Sequence, residues 1–281
     1  MSRSLDADRA GGGYALGHSD EEIERLSTQA RLIDPITRRF FREAGLEHGM
    51  RVLDVGCGAG DTSALLLQMV GDKGEVVGVD RAPAAIAAAK RKIGDRADLH
   101  FLEGDPAAMN FDQPFDAVVG RFVLMFQSEP ASMLKAVARH VRPGGLIAFH
   151  ELDYEGISSF PPLPTFEQVR RWNAETTSRY GADPRMGAKL LATFVGAGLP
   201  VPTVRVESLC GKGPASADLL LLAHNLTRSL LPEMERQGVA SRAEVGLETL
   251  LQRMQAEADG ANGIVVGHLQ FGAWARSPGA S

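Results

Sequence analysis

The sequence is short of most features that would take it out of the ordinary globular class. It has two cysteines, Cys57 and Cys210, and Cys57 sits inside a glycine-rich loop. A structural disulfide is therefore not expected, which fits a reducing, cytoplasmic setting. No apolar run approaches the ~18 residues that span a bilayer, and Met1 to Arg9 lacks the apolar core of a signal peptide. There is no basic excess: the formal net charge is −5. The tight basic clusters, Arg38-Arg39 and Lys90-Arg91-Lys92, fall on predicted helices, where a solvated face is expected. This weighs against nucleic acid as substrate. No set of carboxylates suggests a Mg²⁺ site, so no metal is expected. Internal repeats and heptad runs are also lacking.

What is present is a patterned α/β chain. Hydrophobic residues make up 44% of 281 and charged residues 23%, enough for one large domain or a domain with a cap. Val52-Leu53-Asp54-Val55 is a short apolar run with one acid, followed by Gly56-Cys57-Gly58-Ala59-Gly60. An apolar run ending in a glycine turn before a helix is a nucleotide-binding arrangement. The spacing is G-x-G-x-G rather than the dinucleotide G-x-G-x-x-G. Four further strands are expected from Gly74-Glu75-Val76-Val77-Gly78-Val79-Asp80, Leu99 to Asp105, Pro114 to Arg121 and Val141 to Phe149, the last holding Arg142-Pro143-Gly144-Gly145. Predicted helices lie between them at about 61–70, 83–92 and 129–141. The alternation implies a parallel, doubly wound sheet.

Upstream, Ser19-Asp20-Glu21-Glu22 reads as a capping box opening a helix at Asp20, with a second helix over about Pro35 to Ala44. Downstream of Glu151 the pattern changes. A proline-rich stretch, 157–164, is linker-like. Helices follow at about 165–180 and 186–197, then an alternating strand, Thr203 to Ser208, and a last strand within Ile264 to Ala275. The intervening ~55 residues read as two helices, about 216–235 and 241–258.

The five ordered stretches together resemble the motifs of class I S-adenosylmethionine (SAM)-dependent methyltransferases, and among them the small-molecule, ubiquinone/menaquinone-methyltransferase-like branch. The likeness covers roughly residues 14–155 well. It implies a seven-stranded Rossmann-like sheet with strand seven antiparallel, and helical cap insertions. The organisation expected is a disordered tail (1–13), a SAM-binding core (14–155), a helical cap segment (156–183), a core helix with strand six (184–208), a helical cap insertion (209–262) and strand seven (263–276). It also implies SAM as cofactor and S-adenosylhomocysteine as product.

Site residues follow from the same likeness. Gly56, Gly58 and Gly60 let the backbone approach the methionine part of SAM, with Asp54 and Cys57 in the same motif. Asp80 would accept the ribose hydroxyls and Asp105 the adenine amino group. Pro106 departs from the pattern, because it has no N–H to give the adenine ring. Arg81 could flank the adenine. Tyr14 and Gln29 are candidates for the SAM carboxylate. Arg121 could touch SAM through its backbone, or pair with Asp54 or Glu151. Methyl transfer from a sulfonium needs placement, dryness and at most a base. His150 and Glu151 end strand five at the ligand-binding edge, and successive strand residues face opposite ways, so one of them is expected to face the nucleophile; His224 in the cap is a further candidate. His268 reads as a core histidine. Phe122, Met125, Phe126, Phe160, Phe166 and Trp172 could line an apolar pocket. The segment Gly120-Arg121-Phe122-Val123 lacks the amine-binding signature of adenine and glutamine N-methyltransferases. The expectation is O- or C-methylation of a small, hydrophobic molecule. An NAD-dependent oxidoreductase is disfavoured by the glycine spacing and the Arg-Pro-Gly-Gly turn; a SAM-binding protein of the same fold that does not methylate would carry identical motifs. Oligomeric state is not legible.

Overall fold

A computed structural model describes residues 20–212 and 214–279. The tail 1–13 and Tyr14 lie outside them. Five strands are parallel: β1 (Arg51–Val55), β2 (Glu75–Asp80), β3 (Leu99–Glu103), β4 (Phe115–Arg121) and β5 (Val141–Asp153). They stand in the order β3-β2-β1-β4-β5. β8 (Ile264–Arg276) runs antiparallel to β5, and both β6 (Ser158–Phe160) and β7 (Thr203–Gly211) run antiparallel to β8.

The helices are α1 (Asp20–Ala44), α2 (Asp61–Val70), α3 (Pro83–Ile93), α4 (Pro130–Ala138), α5 (Pro164–Tyr180), α6 (Met186–Gly196), α7 (Pro214–Arg236), α8 (Arg242–Val245) and α9 (Leu247–Ala261). Alternation along the parallel strands sorts the core into two layers. Val52, Val76, Ala117 and Leu146 pack with Phe41 of α1, Leu66 of α2 and Ile86 of α3. Their neighbours Leu53, Val77, Val118 and Ile147 pack on the other face with α4, α6 and, continuously, α5, α7 and α9. Because both faces are covered, these strands are apolar runs and not alternating ones.

Four expectations are corrected in detail. Residues 20–44 form one helix with Pro35 inside it, not two. A proline within a helix costs ~3 kcal/mol, but Ile33, Ile36, Phe40 and Ala44 form a buried stripe at helical spacing that holds the helix to the sheet. The sheet has eight strands rather than seven, since β6 forms within the proline-rich stretch. The second insertion helix is interrupted at Gly246, whose φ of 55° ends α8 and opens α9. Arg142-Pro143-Gly144-Gly145 is not a turn before a strand; it lies inside β5 as an irregularity between the Phe115↔Val141 and Ala117↔Leu146 pairs.

Among the described residues no helix is long and apolar enough to cross a membrane, and no group of His, Cys, Asp or Glu could hold a metal ion. The contact of α1 with the sheet is close. A Cβ on Gly272 of β8 would stand 2.5 Å from Phe40 Cγ and 3.0 Å from its Cβ, and the root of an aromatic side chain cannot swing away. Gly272→Ala is expected to destabilise the protein by about 1–3 kcal/mol, read as a lower urea midpoint at constant slope. An unchanged midpoint would show that α1 is not seated as described.

Candidate functional site

The strand order reverses between β1 and β4, and in open α/β sheets the crevice beyond the carboxyl ends of such strands is where ligands bind. The chain builds that crevice with backbone conformations that side chains would block. Gly56, after β1, has φ 66°, and a Cβ there would stand 2.7 Å from Val123 Cγ2. Gly60 has φ 85° and would meet Ile93, Phe101 and Ala89 within 3.2 Å; it ends the loop at the N-terminus of α2. Gly58 has φ 55° and faces open space. Its N–H donates to Asp80 Oδ2 at 2.9 Å, while Asp80 Oδ1 accepts the Ala82 N–H. Each oxygen retains a lone pair.

Asp54 lies below the loop, fully buried. Its Oδ2 accepts from Ser63 Oγ at 2.6 Å, and its Oδ1 has no partner among the described residues. Burial raises its pKa to about 7, against the pull of Ser63 and Arg121. Cys57 is buried beside it, and burial pushes its thiol well above the ordinary range. At the β3 end, Arg81 donates to Asp105 Oδ2 at 2.9 Å, Asp105 Oδ1 accepts the Ala107 N–H, and the Pro106 carbonyl lies 3.0 Å from His140 Nε2. Gln29 is half-buried on α1.

The other wall is the turn after β4. Phe122 has φ 57°, a conformation bulky L-residues avoid. It is held there from both sides. Its N–H donates to the His150 carbonyl at 2.8 Å, and the next two N–H groups, of Val123 and Leu124, both donate to Glu151 Oε1 at 2.8 and 2.7 Å. Glu151 is fully buried, and burial raises its pKa to about 8 despite these bonds. Nothing in the sequence marks Phe122 as a left-handed residue.

His150 faces the opposite way. Its Nε2 donates to Gln270 Oε1 at 2.9 Å, which leaves Nδ1 to accept from the Thr37 hydroxyl at 3.0 Å. Phe40 and Phe122 meet the ring edge-on at 5.0 and 5.1 Å. Burial and the nearby Arg121 lower its pKa to about 3. Arg121 does not pair with Asp54 or Glu151. It turns to α1, donating to Asp34 Oδ1 at 2.6 Å and Thr37 Oγ1 at 3.2 Å, because α1 lies across the end of β4.

A narrow, mostly apolar cavity, part of it open to solvent, lies among α1, α5, α7 and β8. Ile33, Phe166, Val169 and Leu219 are among its apolar walls, and Gln270, the partner of His150, also lines it. Neither His150 nor Glu151 lines it. His150 spends both ring nitrogens on the protein; Glu151 spends Oε1 on backbone, and its buried Oε2 has no partner among the described residues. His224 does not line it either: its Nε2 lies 3.4 Å from the Leu247 carbonyl, toward α9. His268 does line it, with its ring edge-on to Tyr154 at 4.6 Å. Of the six apolar residues expected there, Phe166 is in the wall; Phe160 is 77% exposed.

An open sheet of this strand order, with a glycine loop and an acid at the tips of β1 and β2, is a Rossmann-like α/β architecture. The family described as "Methyltransferase domain" matches residues 52–145. Demethylmenaquinone methyltransferases are among the curated relatives. That of Staphylococcus aureus (strain MRSA252) is 32% identical over 133 residues, 47% of this chain and 53% of the relative. That of Staphylococcus saprophyticus is 33% identical over 132 residues, 47% and 54%. The chain spans about half the length of the curated relatives it matches. Over that segment the chain is similar to SAM-dependent methyltransferases of the quinone-methyltransferase type. Solved structures share the fold: a protein from Bacillus halodurans (TM-score 0.56, 16% identity, 86% of this chain and 98% of that one) and the [4+2]-cyclase SpnF (0.50, 19%, 88% and 81%). Haemonchus contortus phosphoethanolamine N-methyltransferase 2, solved with S-adenosylhomocysteine, is a third (0.50, 16%, 83% and 49%).

The buried acids predict a pH dependence. Above pH 6.5 the His150 ring is neutral folded and unfolded alike. Between pH 6.5 and 8 the folded protein still holds the Glu151 proton, and part of the Asp54 proton, which the unfolded chain has released. Stability is therefore lost as pH rises through this window, by up to ~1.4 kcal/mol per pH unit per site. Glu151→Gln keeps an acceptor for Val123 and Leu124 and is expected to flatten the slope. A slope unchanged in that variant would mean Glu151 is ionised in the folded protein.

Proposed function

We propose that the chain is a SAM-dependent methyltransferase that modifies O or C of a small hydrophobic molecule. The observation that carries this is the adjacency of two sites. The glycine-loop crevice and the apolar cavity are linked by a chain of contacts: Val123 stands against Gly56, its neighbour Phe122 meets the His150 ring, and His150 bonds to Gln270, which lines the cavity. A methyl donor and an apolar acceptor need that neighbourhood.

The residues present fit the cofactor. Gly58 leaves open space above the loop, Asp80 keeps two lone pairs for a diol, and Asp54 Oδ1 is a buried acceptor without a partner among the described residues. Asp80 would hold the ribose, Asp105 and Arg81 would flank the adenine, and Asp54 with the loop from Gly56 to Gly60 would receive the methionine part. When bound, SAM supplies an already activated methyl. The chain's own task is then to orient the acceptor and exclude water. We assign α5 and residues 209–262 the part of a cap, since Phe166 and Val169 of α5 and Leu219, Leu222 and Leu226 of α7 roof the cavity. His150 serves as a positioning residue: neutral and spent on Thr37 and Gln270, it joins α1 to β8.

A second reading is a SAM-binding protein of this fold that catalyses another reaction. It is favoured by the absence of His150, Glu151 and His224 from the cavity, and fold alone does not decide between the two.

Incubation with SAM and a panel of apolar enols and phenols, followed by mass spectrometry, is expected to show S-adenosylhomocysteine together with a product heavier by one methylene. SAM binding without either product would favour the second reading. Asp80→Ala is expected to weaken SAM binding by roughly 1.5–3 kcal/mol, tenfold or more, as bonds to a charged acceptor are lost. Unchanged calorimetric affinity would remove Asp80 from the site.

A further inference from the structure

β7 is an edge strand. Among the described residues Thr203 to Gly211 pairs with β8 alone, and no residue of this strand is buried. Which of its main-chain groups face outward follows from the register. The His150 carbonyl accepts from the Phe122 N–H, so the main chain of His150 faces β4 and that of Glu151 faces β8. Main-chain groups alternate between the two sides of a strand. Glu151 stands opposite Phe271, so Gln270 and Gly272 of β8 face β7, where they meet Glu207 and Arg205. The N–H and C=O groups of Val204, Val206 and Ser208 therefore point away from the sheet. A bulge between Ser208 and Cys210 ends this regular stretch.

An open edge is commonly blunted by proline or lysine, and Thr203 to Gly211 contains neither. Its two charges have opposite sign and flank Val206. Both lie on the α1 face: Arg205 donates to Glu43 Oε2 at 3.0 Å, and Arg39 Nε donates to Glu207 at 3.0 and 3.1 Å. On the other face Gly187 of α6 meets Phe271, the β8 partner of Val206. Val206 itself is exposed there, as are Leu191 and Val195 of α6 and Val201 before the strand. Two charges of one sign would repel a second copy. Opposite signs placed symmetrically about Val206 attract one, because antiparallel self-pairing about that residue sets each Arg205 against the partner's Glu207. We propose that β7 pairs with β7 of a second copy of this chain, antiparallel and centred on Val206, so that the sheet continues across a twofold axis. Val206 exchanges main-chain bonds with its own counterpart, and Val204 with the partner's Ser208. A contact of one strand and its flanks is at the small end for interfaces, so the dimer exchanges with monomer. The proposal is independent of the reaction catalysed.

Sedimentation velocity of the full-length protein tests it. The wild type is expected to shift from monomer to dimer as its concentration rises to about 100 µM. Val206→Pro removes an outward N–H and leaves the β8 ladder whole; it is expected to raise the dissociation constant at least about tenfold, with the melting temperature as control. Arg205→Glu and Glu207→Arg each set like charges against each other across the axis, so each variant alone is expected to be monomeric. Mixed in equal amounts, every charge again faces its opposite, and the dimer is expected to return. A wild type that stays monomeric at the highest concentration overturns the proposal. So does a dimer unaffected by Val206→Pro, or a pair of charge variants that behave alike alone and mixed.

Discussion

One buried carboxyl group sets the geometry at the switch point. Glu151 Oε1 receives the N–H groups of Val123 and Leu124, and this fixes the turn that follows β4. The turn in turn forces Phe122 to a φ of 57° and presses Val123 against the position where Gly56 would carry a Cβ. The glycine loop of β1 and the turn of β4 are thus complementary parts of one crevice. Glu151 spends Oε1 on backbone, while its buried Oε2 has no partner among the described residues; the bonded oxygen holds strained backbone, which persists only where its surroundings over-determine it.

The next residue back on the same strand organises the other side. His150 joins Thr37 of α1 to Gln270 of β8, and Arg121 joins Asp34 and Thr37 to β4. Buried networks of this kind stabilise when every member is satisfied and cost heavily when one is lost. Because strand residues alternate, two adjacent positions serve two layers: Glu151 braces the crevice floor, and His150 seats α1 and the wall of the cavity. The bonded polar groups at this edge of the sheet thus give it its shape.

Much of this was legible in the sequence, for physical reasons. A parallel strand covered on both faces must be an apolar run, so β1, β2 and β4 stand out. A glycine loop followed by an acid at the end of the next strand has a spacing that few other arrangements need. The helical insertion before β8 was visible as a length the core does not require. What was not legible depends on partners far away in sequence. His150 could be placed at the sheet edge, but its direction is set by Thr37 and Gln270, 113 and 120 residues away. Pro35 reads as a helix boundary until the stripe from Ile33 to Ala44 is seen buried. β6 is three residues long and exists because β8 offers it an edge.

The central claim is that the crevice between β1 and β4 holds the methyl donor and the cavity beyond Gln270 holds the acceptor. A crystal structure of the protein soaked with S-adenosylhomocysteine tests this most directly. The account predicts density across the tips of β1, β2 and β3, with the ribose on Asp80 and the thioether end directed toward the wall formed by Phe122, His150 and Gln270. Density elsewhere, or a thioether directed away from the cavity, would contradict it.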